Sequence, residues 1–119
     1  MSSASVEFSR RFQLWSYSVS HSELLLRSTK STGATTRIDV LFKNVGAICL
    51  QTIIDNLVVL EVSAGDVSQR WRDISVGERR LFSVSGVGFS GYVVAGSLAW
   101  HEDELEYHEP SFFSTRPSR

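Results

Sequence analysis

In the stretch TTRIDVLFKNV, Ile38, Val40 and Phe42 alternate with Arg37, Asp39 and Lys43. A period of two sends successive side chains to opposite faces, so this segment predicts a β-strand with one buried face, and only Leu41 breaks the polar side. RFQLWSYSVSH has the same rhythm, with Trp15, Tyr17 and Val19 on one side and Ser16, Ser18 and Ser20 on the other. Trp15 and Tyr17 are read there as core, because aromatic rings dominate core burial.

ELLLRS and LVVLEVS are apolar runs too short for a helix, and they suit strands covered on both faces or lying at a sheet centre. RLFSVSG and GYVVAGSLAW predict two more strands, joined through Gly86, Gly88 and Gly91. Ala95, Gly96 and Ala99 weaken the second, so residues 92–108 admit a helical reading as well. Asp55-Asn56, between AICLQTII and LVVLEVS, is expected to turn a hairpin. STKSTGATT and SAGDVSQRWRDISVGERR read as irregular connections around Gly33, Gly65 and Gly77.

No long amphipathic helix interrupts this pattern, so parallel α/β folds, which need a crossover helix between strands, lose their support. The expected fold is all-β: a single-domain sandwich or partly open barrel of about seven short antiparallel strands. A chain of 119 residues has room for one such core. The domain is expected over residues 1–109, with 110–119 as a C-terminal tail.

The start MSSASVEFSRRF lacks the apolar run of a secretory signal, and no later run approaches a membrane span. A cytoplasmic protein with no membrane partner is the expectation. Cys49 is the single cysteine; in the apolar string GAICLQT it is read as a buried structural residue. Net charge is −1, but residues 1–43 carry six cations (Arg10, Arg11, Arg27, Lys30, Arg37, Lys43) against three acids. The last nineteen residues carry five acids against Arg116 and Arg119. One basic and one acidic surface are expected from that asymmetry.

WHEDELEYHEP, residues 100–110, concentrates two histidines and five carboxylates. The zinc-protease motif HExxH needs two histidines four residues apart on a helix, but Leu105 stands where the second should be. EDEL is read as a retention signal only at the extreme C-terminus. A looser metal set of His101, Glu104 and His108 would share one stripe of a helix, whereas on a strand His101 and His108 face opposite ways. The plainer reading is an acidic strand end that keeps an edge from pairing.

Gly86-Val87-Gly88-Phe89-Ser90-Gly91 matches GxGxxG in letters, but it is followed by strand-like residues where a dinucleotide site needs a helix N-terminus. A tight connection is expected instead. GxSxG is absent, and His21 is read as a turn residue bonded to backbone. No catalytic residue and no cofactor is assigned.

The strings WSYSVSHSELLLRS and RIDVLFKNVGAICL are similar in style to those of small bacterial all-β proteins. That resemblance implies a non-enzymatic protein and carries no catalytic motif onto any residue here. The function expected is a binding or interaction module contacting a protein partner or a second copy. Trp71 between Arg70 and Arg72, with Phe112 and Phe113, supplies the contact residues, since Trp and Arg are enriched at binding hot spots. Two alternatives are a nucleic-acid-binding barrel using Arg10, Arg11, Arg27, Arg37 and Trp71, and a metal-dependent enzyme built on the His/Glu segment.

Overall fold

The computed structural model describes residues 5–63, 71 and 73–114. They form eight strands: β1 (Ser5–Ser18), β2 (Glu23–Ser28), β3 (Arg37–Lys43), β4 (Ala47–Cys49), β5 (Ile53–Val62), β6 (Arg80–Gly86), β7 (Phe89–Ala95) and β8 (Ser97–Asp103). A 3-10 turn covers Phe112–Ser114, and no α-helix occurs among the described residues. All strand pairs are antiparallel, in one open sheet of order β4-β7-β6-β5-β1-β2-β3-β8.

Two corners fold this sheet over on itself. The first is β1, which pairs with β5 from Ser5 to Gln13 and with β2 from Gln13 to Ser18. Its register slips twice, between Phe8 and Arg11 against β5 and between Leu14 and Ser16 against β2. Extra residues in one strand bend it and increase its twist, so one long strand serves both halves. At the second corner β7 passes into β8 through Gly96 alone, whose N–H donates to the carbonyls of Lys43 (2.8 Å) and Asn44 (3.1 Å). Beside it β3 passes into β4 through Asn44, which takes a left-handed φ of 54°.

The inner faces of the two halves close over one core. Phe12, Leu24, Leu26, Ile38, Val40 and Phe42 meet Ile54, Leu57, Val59, Phe82, Val84, Val93 and Ala95. Phe42 of β3 and Phe82 of β6 cross edge to face, with centroids 5.6 Å apart. Burying each such side chain contributes ~1.5–3 kcal/mol, which is what holds the bent sheet shut.

Several local expectations change. Asp55-Asn56 makes no hairpin: β5 runs straight through, and Asn56 adopts a φ of 61° opposite the slipped residues Ser9 and Arg10. Asn is one of the few residues that tolerates this conformation, so it marks a bulge as readily as a turn. The slip at Leu14/Ser16 also spoils the alternation read over residues 15–19. Trp15 becomes the extra residue, while Tyr17 (41% exposed) and Val19 (81%) face solvent. Cys49 is exposed rather than buried, since β4 is an edge strand only three residues long.

GVGFSG is a two-residue hairpin. Gly86 pairs with Phe89, and Gly88 holds the left-handed position at φ 70°. At Gly91 a Cβ would run into the Cys49 carbonyl of β4, so this glycine serves close strand approach and no phosphate. Residues 92–103 are strand throughout apart from Gly96, and the helical reading fails there.

Candidate functional site

The charged residues gather on the outer face of the half formed by β1, β2, β3 and β8. Arg27 and Asp39 are direct neighbours across β2 and β3, as are Asp39 and His101 across β3 and β8. Arg37 pairs with Asp103 at the far end of β8. Alternation therefore puts Arg27, Arg37, Asp39, His101 and Asp103 on one surface. That surface is not open. Arg37 is 0% exposed and Arg27 and Asp39 are each 2% exposed, so β3 is covered on both faces from Arg37 to Phe42. This overturns the expectation that Arg37 and Asp39 mark a solvent face.

The cover is the segment that follows β8. Beyond Asp103 the chain turns, with the Leu105 N–H donating to Asp103 Oδ1 at 3.1 Å, and returns across the strands. Arg27 forks onto Asp39 (Nε–Oδ1 2.7 Å, Nη2–Oδ2 3.0 Å), and its Nη1 donates to the carbonyls of Tyr107 (2.8 Å) and Glu109 (3.4 Å). Arg37 forks onto Asp103 (Nε–Oδ1 3.1 Å, Nη2–Oδ2 3.0 Å). It also donates to the carbonyls of Glu106 (3.1 Å), Glu109 (2.7 Å) and Pro110 (3.1 Å). Trp15 lies beneath the Arg27 guanidinium, 5.0 Å from ring centroid to Cζ. A planar fork with five donors suits this task, since each arginine must satisfy a carboxylate and several carbonyls together. Among the described residues no buried side-chain N or O atom lacks a partner.

Outside this buried pair several other charges are also matched. Lys30 Nζ reaches Glu106 Oε2 at 2.8 Å, and Arg11 forks onto Asp55 (2.7 and 3.2 Å). Arg10 donates to Ser28, Thr36 and the Thr36 carbonyl, and lies 3.9 Å from Glu102. Three cations of the basic first third thus meet acids of the last nineteen residues inside one molecule: Arg10 by Glu102, Lys30 by Glu106 and Arg37 by Asp103. The expectation of one basic and one acidic surface gives way to this intramolecular pairing.

Burial raises the Asp103 pKa, but hydrogen bonds from Arg37 and the Leu105 N–H, with the charges of Arg37 and His101, outweigh it and hold the carboxyl below its ordinary value. The hydrogen bond from Lys30 lowers Glu106, and the one from Arg11 lowers Asp55.

The residues singled out for chemistry are placed as follows. His101 lies on β8 with its ring stacked on Phe112, centroids 3.9 Å apart at 15°, and Phe113 meets it edge-on at 6.4 Å. Glu104 and His108 lie in the returning segment, both exposed, with His108 edge-on to Tyr107 at 5.2 Å. Among the described residues no three His, Cys, Asp or Glu side chains are grouped to hold a metal ion. The segment expected to start a tail at residue 110 is packed down: Ser111 is buried and Phe112 and Phe113 lie on His101. Trp71 is half-buried, edge-on to Tyr92 at 5.7 Å, on the outer face of the other half. Arg70 and Arg72 lie outside the described residues. His21 sits in an exposed turn, its Nδ1 within reach of the Ser18 and Ser20 hydroxyls (3.2 and 3.1 Å) rather than backbone.

One residue escaped the sequence reading. Trp100 projects from the inner face of β8, 48% exposed, against Phe8 of β1 with centroids 5.1 Å apart. Its neighbour His101 carries Phe112, itself 53% exposed, on the other face. Two partly exposed aromatic rings therefore lie on opposite faces of β8, and no described strand pairs with its outer edge. No helix among the described residues is long and apolar enough to cross a membrane.

Comparison with models of protein families, with curated proteins and with solved structures finds no match of this chain to any of them.

Proposed function

We propose that this chain is an interaction module that binds a protein partner along the outer edge of β8. The observation carrying this reading is the pair of exposed rings, Trp100 and Phe112, standing on either side of an edge strand seven residues long. An unpaired edge offers a row of backbone donors and acceptors to an added strand, and flanking apolar rings supply the side-chain contacts that make such addition selective. Natural sheets blunt their edges with short strands, lysine or proline. β4, at the opposite edge, has only three residues; β8 has neither proline nor lysine.

The cations read as a possible nucleic-acid groove support this choice indirectly. Arg27 and Arg37 are buried and committed to carboxylates and carbonyls, and Arg10 and Arg11 are bonded within the chain. A reducing, cytoplasmic setting suits an exposed thiol such as Cys49.

Native mass spectrometry of the untagged protein from its own host tests the reading. The expected result is a species with a second polypeptide, depleted in Trp100→Lys and Phe112→Ser variants whose melting temperatures stay close to that of the parent. Recovery of the bare chain alone, or a complex indifferent to both substitutions, would contradict it.

A further inference from the structure

The outer face of β2, β3 and β8 is built like a peptide site, and the segment beyond Asp103 is seated in it mostly by its main chain. Arg27 and Arg37 donate five bonds to the carbonyls of Glu106, Tyr107, Glu109 and Pro110. Both side chains are almost wholly buried, at 3% and 0% exposure. Leu105, Tyr107 and His108 are exposed, and Glu106 pairs with Lys30 at the surface. Side-chain fit enters at the far end, where Ser111 is buried and Phe112 stacks on His101. Main-chain bonds of this kind give affinity for any extended segment, and a few fixed side-chain seats make the binding selective.

Two further features make the segment removable. Among the described residues, none of 104–113 belongs to the hydrophobic core. Each arginine also keeps a carboxylate of the sheet, Asp39 for Arg27 and Asp103 for Arg37. Departure of the segment therefore leaves both ion pairs made and passes only the freed N–H donors to water, with no charge left unpaired.

We infer that this face is a binding site for an extended polypeptide, and that residues 104–113 are its built-in occupant, displaced in trans by a partner segment of the same chemistry. That chemistry is a run of carbonyls in register with the two guanidinium forks, followed by Pro-Ser-aromatic, as in Pro110-Ser111-Phe112. The inference goes beyond the edge reading, because Arg27 and Arg37 stand on β2 and β3, inside the sheet order. A tethered segment acts at an effective concentration of about 1 mM. With closure favoured about a hundredfold, an empty site takes the same segment in trans at ~10 μM, and the closed chain takes it only near ~1 mM.

Titration of a synthetic peptide of residues 104–114 into the isotope-labelled full chain, followed through the backbone amides of β2, β3 and β8, tests this. The parent should show shifts confined to those strands, with half-saturation near ~1 mM. A full-length Ser111→Arg/Phe112→Ser variant, whose own segment has lost its side-chain seat, should bind the parental peptide about tenfold or more tightly than the parent does. Peptides with alanine at 105, 107 and 108 should bind within about twofold of the parental one, whereas a Ser111→Arg peptide should lose about tenfold or more. Arg37→Lys in the opened chain should lose a similar factor, because lysine cannot fork. Circular dichroism establishes that each chain is folded, and the peptide series decides the matter without any change to the receiving face. No shift in either chain up to about 2 mM peptide would overturn the inference. So would an opened variant that binds no tighter than the parent, or affinity that follows the exposed side chains and ignores position 111.

Discussion

At the scale of single residues, the decisive facts concern two arginines. Arg37 has no exposed surface and Arg27 almost none, yet each guanidinium nitrogen meets a carboxylate or a main-chain carbonyl. Replacing one member of a buried charged pair leaves the others desolvated and unmatched, a loss of ~3–5 kcal/mol. Arg37→Met should therefore lower stability by about that much in denaturant unfolding, whereas an exposed cation such as Lys43 changed to Met should lower it by less than about 0.5 kcal/mol. The carboxyl partners set the pH response. Asp103, Asp55 and Glu106 all have pKa values below their ordinary ones in the folded chain. Each contributes stability that is present above its unfolded pKa and is lost as pH falls through its folded value. Stability should fall steeply below about pH 4, and Asp103→Asn should flatten that part of a melting-temperature profile. An acid limb of the same slope in parent and variant would contradict the part given to Asp103.

At the scale of strands, period-two patterning located most elements and misjudged their bends. RIDVLFK, ELLLRS and RLFSVSG are strands at the expected places, the first marked by its alternation and ELLLRS by an apolar run that both faces of the sheet cover. What the pattern did not reveal is where a strand gains a residue. Trp15 and the Ser9-Arg10 pair look in sequence like any other positions, and their role as bulges is fixed by packing in β2 and β5. Asn56 carried a true signal, tolerance of positive φ, but that signal serves hairpins and bulges alike. Asn56→Gly should leave stability within about 0.5 kcal/mol, since glycine takes this backbone freely. Asn56→Val, a β-branched residue forced to a left-handed φ, should cost ~1–2 kcal/mol in equilibrium unfolding.

At the scale of the whole molecule, the sequence showed a charge asymmetry but not its purpose. Cations near the start and acids near the end read as two surfaces; packing joins them, with Arg27, Lys30 and Arg37 reaching residues 103–110. Most of these bonds end on carbonyls, which every residue possesses, so no motif could have announced them. WHEDELEYHEP looked chemical because it is dense in histidine and carboxylate. In the folded chain its first four residues finish an edge strand and the rest crosses the outside of the sheet. Trp100 was hidden in the same stretch, since a lone tryptophan in a strand reads as core, and only the sheet order reveals that β8 is an edge.

If residues 104–113 hold the fold together by capping the two arginines, unfolding of a chain ended at Asp103 measures that contribution most directly. Removing the carbonyl acceptors of Arg27 and Arg37 should lower the free energy of unfolding by at least about 3 kcal/mol relative to the full chain. An unchanged denaturant midpoint would contradict it, and would mean that the segment rests on the sheet without stabilising it.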